Sequence, residues 1–305
     1  MTNRILITGA LGQLGTVLAN ALHSVEGNYV LATDIRKTTE KLPYDFAQVD
    51  VLDYSSMDQI IVSNKINCIY HLVATLSATG EQAPFMAWDL NMQSFQHIAK
   101  LSVNHNIHRV FWPSSIAAYG EDKNSSFAPQ NADMNPTTIY GVSKLAGEKL
   151  MNYYYIKYGL DIRSIRLPGV LSLDPPGGGT TDYVVEMVHA ARDGKPYTCF
   201  LKPDTELPMI YIKDMVQAVM QLMSAPRISL HRTFSYNVMG FSLTPHTLAT
   251  ALHKKGHPFQ LDYAPDYRQK IAASWPKSLD DRLARSAWGW KPKYNLEDCL
   301  TDMLG

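Results

Sequence analysis

Three tyrosines in this 305-residue chain stand four positions before a lysine: Tyr119 before Lys123, Tyr140 before Lys144 and Tyr153 before Lys157. A free phenol, with a pKa of about 10, is a poor base at neutral pH. A cation one helical turn away favours the phenolate and makes such a tyrosine a candidate proton acceptor. In a chain with 17 tyrosines the pattern also arises by chance, so position must separate the three. Tyr119 falls in a loop beside Gly120, and Tyr153 belongs to a Tyr153-Tyr154-Tyr155 run whose simplest role is packing. Tyr140 opens a long helical stretch, so Lys144 lies on the same face. A hydroxyl from the preceding strand end, Ser114 or Ser115, would hold a substrate oxygen beside the phenol; a capping or turn role is the alternative for both.

A second constellation lies at the start of the chain, where Gly9, Gly12 and Gly15 punctuate Thr8-Gly9-Ala10-Leu11-Gly12-Gln13-Leu14-Gly15. Glycines between a strand and a helix allow a tight turn and let backbone N–H groups approach a pyrophosphate at the helix N-terminus. The spacing is Gly-x-x-Gly-x-x-Gly rather than the commoner Gly-x-Gly-x-x-Gly. Asp34 ends the next strand at the distance where a carboxylate receives a ribose 2′-hydroxyl. That acid would repel a 2′-phosphate, which favours NAD over NADP; Arg36 is a counter-signal.

Elements must carry these groups. Residues 5–8, 29–33, 68–73 and 109–113 read as buried strands, with 161–167 as a further one. Helical spacing of apolar residues marks a helix after the glycine turn and others over 56–63, 88–103 and 140–158. Alternating strands and helices, with nearly continuous apolar strands, specify a parallel sheet covered on both faces. The fold class expected is therefore α/β, a Rossmann-type doubly wound parallel sheet with a smaller C-terminal lobe. Beyond Leu167 the texture breaks at Pro168, Pro175-Pro176 and Gly177-Gly178-Gly179. Shorter helices follow at about 182–192, 214–223, after Thr244-Pro245, 279–287 and 296–304.

Composition excludes several classes. Lys+Arg and Asp+Glu are 28 each, so the formal charge is zero and gives no footprint for nucleic acid or anionic lipid. No apolar run approaches the ~20 residues of a membrane span. The chain passes from Met1-Thr2-Asn3-Arg4 straight into a strand, leaving no room for a signal peptide, and a cytoplasmic location is expected. Cys68, Cys199 and Cys299 are too few and too scattered for a disulfide framework, and no histidine spacing suggests a metal site. His71 reads as a satisfied core residue.

These motifs are similar to those of the extended short-chain dehydrogenase/reductase superfamily. The resemblance rests on the glycine turn, on Ser115 with Tyr119 four residues on, and on Tyr140-Gly141-Val142-Ser143-Lys144. The spacing of serine to tyrosine in that superfamily selects Ser115 over Ser114. Further segments resemble the short-chain-type L-threonine 3-dehydrogenases: Leu76-Ser77-Ala78-Thr79-Gly80-Glu81, the stretch from Pro175 to Tyr183, the stretch from Tyr197 to Thr205, and Ser274-Trp275-Pro276. Ala273 departs from the pattern, because an acid is expected before Ser-Trp-Pro.

The resemblance implies a catalytic Ser115, Tyr140 and Lys144. It implies that Gln13 and Leu14 offer N–H groups to the pyrophosphate, with Asp34, Ile35 and Arg36 about the ribose and Asp50 and Val51 about the adenine. Leu72, Val73 and Ala74 would line the groove, Leu167 would face the nicotinamide, and Lys144 would hold its ribose. Read without the resemblance, Val51, Leu72, Val73 and Leu167 are core strand residues and Asp50 a solvated strand end. The implied reaction is NAD-dependent oxidation of the L-threonine β-hydroxyl to 2-amino-3-oxobutanoate. Ser77, Thr180 and Thr181 are expected on loops as substrate-binding hydroxyls, the three glycines as backbone donors to the carboxylate, and Trp275 as a lid. Residues 1–170, with 207–240 returning to them, would form the NAD-binding unit, and 171–206 with 241–305 the substrate lobe. Dimerisation through the helices at 88–103 and 140–158 is implied as well. Two other readings share some of these residues: a nucleotide-sugar epimerase or dehydratase, and a non-catalytic dinucleotide sensor.

Overall fold

The computed structural model describes residues 3–120, 126–175, 177–230 and 235–305; Met1, Thr2, Lys123 and Pro176 lie outside the described residues. In the first half, strands β1 (Arg4–Thr8), β2 (Tyr29–Asp34), β3 (Asp45–Gln48), β4 (Cys68–His71), β5 (Arg109–Phe111), β6 (Ser114–Ser115) and β7 (Phe127–Ala128) alternate with helices α1 (Gln13–His23), α2 (Tyr54–Ser63), α3 (Ser77–Gln82), α4 (Pro84–Trp88) and α5 (Ser94–Asn104). Helix α6 (Ile139–Tyr158) follows, then strands β8 (Ile162–Leu167) and β9 (Gly169–Leu171) and helix α7 (Tyr183–Asp193). The remainder comprises β10 (Tyr197–Cys199), β11 (Leu207–Tyr211), α8 (Ile212–Ser224), β12 (Ser235–Asn237), β13 (Phe241–Leu243), α9 (Pro245–Lys254), β14 (Leu261–Tyr263), α10 (Tyr267–Ala273), β15 (Ser278–Leu279), α11 (Arg282–Trp288) and α12 (Leu296–Leu304).

The large sheet runs β12-β8-β5-β4-β1-β2-β3, with β6 paired on β8, and its ladders are parallel. Parallel neighbours need crossovers, and α1, α2, α5 and α6 supply them, so the inner strands are buried on both faces while edge strand β3 is partly exposed. Two apolar clusters result. One holds Ile5, Ile7, Leu18 and Leu22, and the other Leu6, Ile69, Phe95, Val110 and Trp112. The strand order reverses between β1 and β4, which opens a crevice at the carboxyl ends of the strands. Strands β9, β11 and β13 form a separate three-stranded sheet beside that crevice.

Three local expectations are corrected. The helix expected over 88–103 is broken into α4, a π-helical turn at Asp89–Gln93 and α5. The wide turn directs Asn91 back to Thr75, accepting its N–H at 2.8 Å and donating to its carbonyl at 3.2 Å. Ser77, expected on a loop, opens α3, which is followed at once by Pro84 in the first turn of α4. The helix expected from 279 begins at Arg282, because Ser278 and Leu279 pair with β7. No helix among the described residues is long and apolar enough to cross a membrane.

Candidate active site

The glycine turn builds the floor of the crevice. Gly9 has φ of +71°, a conformation that a side chain strains. A Cβ on Gly15 would come within 2.2 Å of the Gly9 carbonyl oxygen, so α1 packs this closely against the turn only with glycine there. Gly12 precedes α1 without a side-chain cap, which leaves the first-turn N–H groups of α1 facing the crevice unscreened. An anion fits such a cradle.

Two adjoining hollows, of about 260 and 370 Å³, share Gly9, Gly12, Arg36, Leu72 and Ala74 as walls. Asp34, Ile35, Asp50, Val51 and Val73 line the first. Gln13, Leu14, Gly15, Ser77, Ser115, Tyr140, Leu167, Thr180, Thr181 and Trp275 line the second. Together the hollows run from the Asp34 carboxylate past the glycine turn to Tyr140. Leu72, Val73 and Leu167, which also read as core residues, border the hollows, and exposed Asp50 lies at a rim. Lys144 alone of the expected site residues is absent from the walls.

Tyr140 sits in the first turn of α6. The Thr138 hydroxyl accepts the Gly141 N–H at 3.1 Å, and the Glu81 carboxylate accepts that of Ile139 at 2.8 Å. The two caps satisfy donors that the helix start leaves orphaned and fix the phenol at the crevice. Burial outweighs a lowering hydrogen bond from Ser115 and leaves the Tyr140 pKa raised to about 12. Ser115 is thus one contributor to that lowering. Lys144 lies behind the phenol, with Nζ 5.4 Å from the Tyr140 ring centre, 4.3 Å over the Trp112 ring, and donating to the Pro113 carbonyl at 2.7 Å. Burial lowers its pKa to about 7, opposed by the charge of Glu148.

The other tyrosine–lysine candidates separate by environment. Tyr119 is buried, donating to Asn237 Oδ1 at 2.6 Å and accepting from Arg166 at 2.9 Å. Tyr153 is exposed and meets Lys157 at the surface at 3.1 Å, so packing does not explain it. Ser114 turns away from the hollow and donates to Glu148 at 2.6 Å. His71 is buried and neutral, its pKa lowered to about 3 by burial, with Thr8 and Ser94 on its two ring nitrogens.

The far wall differs from expectation. Ser77 begins α3 rather than lying in a loop, and its Oγ is 2.9 Å from Thr180 Oγ1 while accepting the Thr180 N–H at 3.1 Å. The pair therefore has one hydroxyl hydrogen to present outward rather than two. The N–H groups of Gly178 and Gly179, expected as donors to a ligand carboxylate, both donate instead to Asp182 Oδ2 at 2.7 Å. Asp182 also lines the hollow, and sequence reasoning missed it. The signal was an acid directly after the glycine and threonine run, which reads equally as the first turn of a helix. Ala273 is exposed at the end of α10 and takes no part in the walls. Among the described residues, no cluster of three or more histidines, cysteines or acids could hold a metal ion.

A family model described as the NAD dependent epimerase/dehydratase family matches residues 5–238, and the chain belongs to that family. Its cofactor is NAD. The mitochondrial L-threonine 3-dehydrogenase of Bos taurus is 42% identical over 306 residues, covering 99% of this chain and 82% of that one. Among solved structures, the chain is similar to the holo form of an L-threonine dehydrogenase from Cupriavidus necator, at a TM-score of 0.95 and 45% identity over 99% of this chain and 98% of that one. It is also similar to a monomeric L-threonine 3-dehydrogenase from a metagenome database, at a TM-score of 0.94 and 39% identity over 98% of this chain and 97% of that one.

Proposed function

We propose that this protein oxidises the β-hydroxyl of L-threonine to 2-amino-3-oxobutanoate, with Ser115, Tyr140 and Lys144 as its catalytic residues. One observation carries the reading: Ser115 and Tyr140 share a single hollow with Ser77, Thr180, Thr181, Asp182 and Trp275. Alcohol-holding and zwitterion-holding groups thus face one another across a space suited to an amino acid. The resemblance of the whole chain to threonine dehydrogenases supports the choice of substrate.

NAD⁺, when bound, supplies the hydride acceptor and a positive charge beside the phenol. The Gln13 and Leu14 N–H groups would receive its pyrophosphate, Asp34, Ile35 and Arg36 its ribose, Asp50 and Val51 its adenine. Leu72, Val73, Ala74 and Leu167 would wall the groove, and Lys144 would reach the nicotinamide ribose from behind Tyr140. Ser115 holds the substrate hydroxyl and Tyr140 removes its proton. The outward hydrogen of the Ser77–Thr180 pair and the Thr181 hydroxyl would meet the carboxylate, and Asp182 the ammonium. Trp275, already 8% exposed, excludes water from that end.

Residues 1–170 with 207–240 as the cofactor unit, and 171–206 with 241–305 as the substrate lobe, is the division that accompanies this reading. A homodimer belongs to it as well: Val142, Tyr153 and Ile156 form one exposed stripe at helical spacing on α6, and Phe85 and Met86 stand exposed on neighbouring α4. The neutral charge is compatible with a cytoplasmic location, which fractionation of the source cells tests. Purified protein with NAD⁺ should generate reduced nicotinamide absorbance on addition of L-threonine. Turnover of a UDP-sugar with none of threonine would replace this reading by the epimerase one. Tight NADH binding with no oxidation across an amino-acid panel would favour the sensor. Sedimentation would decide between monomer and dimer.

A further inference from the structure

Helix α6 carries a third ionisable group on the stripe that holds Tyr140 and Lys144. Glu148 lies one turn beyond Lys144, away from the crevice, with its side chain only 9% exposed. Its Oε1 accepts the Ser114 hydroxyl at 2.6 Å and Arg166 Nε at 3.0 Å, and its Oε2 accepts Arg166 Nη2 at 2.9 Å. Ser114 and Arg166 are partners in the β6–β8 ladder, and the next pair in register is Ser115 with Leu167. Both members of that next pair line the hollow that Tyr140 lines. The carboxylate therefore fastens the tyrosine-bearing helix to two strands, one residue short of where each enters the site.

We propose that Glu148 is a positioning residue for the reaction: by holding Ser114 and Arg166 against α6 it sets the Ser115 hydroxyl against the Tyr140 phenol, and its charge balances the buried Lys144 ammonium. The catalytic half of this rests on the function proposed above.

The charge half is set by what surrounds Lys144. On its own helix stand Tyr140 and Glu148; from β4 comes neutral His71; from the β5 end come the Trp112 ring and the Pro113 carbonyl. Glu148 is the group that raises the Lys144 pKa against the lowering effect of burial. Glu148 itself faces Arg166 from β8, while Asp133 and Lys149 border the polar hollow beside it. Arg166 keeps other acceptors, the Gln130 carbonyl at 2.7 Å and the Tyr119 hydroxyl at 2.9 Å, so it stays in place when Glu148 is neutralised.

Glu148→Gln keeps an oxygen for Ser114 and removes the charge, and the pH profile of kcat/KM is the readout. Its alkaline limb should move down by about one unit, because a lysine without its counter-charge loses its proton earlier. Ser114→Ala cuts only the strand side of the clamp and should lower kcat roughly tenfold to a hundredfold, with KM for threonine little changed. Thermal melts of Glu148→Gln and Lys144→Met, singly and together, need no substrate and should be non-additive. An unshifted profile together with Ser114→Ala turnover within twofold of wild type, or strictly additive melts, would overturn the proposal. Wild-type protein inert toward threonine but with coupled melts would instead remove the reaction and leave the charge coupling standing.

Discussion

The Asp34 carboxylate grips the Arg36 guanidinium on two sides, 3.0 Å from Nε and 3.2 Å from Nη2, and also accepts the Leu11 N–H at 3.0 Å. The acid and the base that argue for opposite cofactors in the sequence form one neutral fork at the wall of the first hollow. Burial works against the charge on Asp34, but the bonds from Arg36 and Leu11 outweigh it and hold the carboxyl below its usual range. Asp34→Ala should weaken NAD binding by roughly tenfold or more, the worth of a lost hydrogen bond to a charged group. The same change frees Arg36 for a 2′-phosphate, so NADP affinity should rise relative to NAD. Calorimetric titration with both nucleotides measures the pair, and an unchanged preference would detach Asp34 from cofactor choice.

Ser115 is the group that lowers the Tyr140 phenol, and burial outweighs it, leaving the pKa raised to about 12. Ser115→Ala removes that stabilisation of the phenolate, so the pKa rises further. With the deprotonated phenol as the proposed base, the acid limb of the rate profile should move to higher pH, and kcat at neutral pH should fall by roughly a hundredfold or more. Tyr140→Phe should abolish the limb while leaving NAD affinity nearly intact. Steady-state rates across the pH range check both; undiminished turnover in Tyr140→Phe would take the phenol out of the mechanism.

The glycine turn, five of the strands of the large sheet and the start of α6 were legible because each depends on local chemistry: apolar runs, a turn that tolerates no side chain, a long helical stretch. The far wall was not, because its geometry comes from partners distant in sequence. Ser77 meets Thr180, and nothing near either residue announces that their hydroxyls are spent on each other. The break at Asp89–Gln93 is set by Asn91 reaching back to Thr75 and across to Ser143 on α6, a tertiary demand that helical periodicity does not record. Nothing in the sequence near Glu148 announces the Arg166 guanidinium that β8 places against it.

Gly15 tests the cradle. A methyl group there must displace the Gly9 carbonyl or lift α1 off the turn, and overpacking of this kind costs about 1–3 kcal/mol. Gly15→Ala should therefore melt lower and lose NAD affinity together, since the same N–H groups that would receive the pyrophosphate are moved. A melt shift with unchanged NAD affinity would show that the turn is structural only.

Asp182 gives the substrate end its sharpest test. Its carboxylate is held by the Gly178 and Gly179 N–H groups, yet burial outweighs them and raises its pKa above the ordinary aspartate value. An ammonium in the hollow would favour the charged form, so binding of a zwitterionic amino acid and ionisation of Asp182 must be coupled. Asp182→Asn should raise KM for threonine roughly tenfold to a hundredfold, the range of a charge-assisted hydrogen bond, with a smaller effect on kcat and none on NAD affinity. The sign with pH follows from the raised pKa. In the wild type, KM should climb as pH falls through that value, at higher pH than an ordinary aspartate would allow, whereas Asp182→Asn should show no such climb. A β-hydroxy acid lacking the α-ammonium should be indifferent to the substitution, and equal losses for both substrates would place Asp182 in the loop's architecture rather than at the ligand.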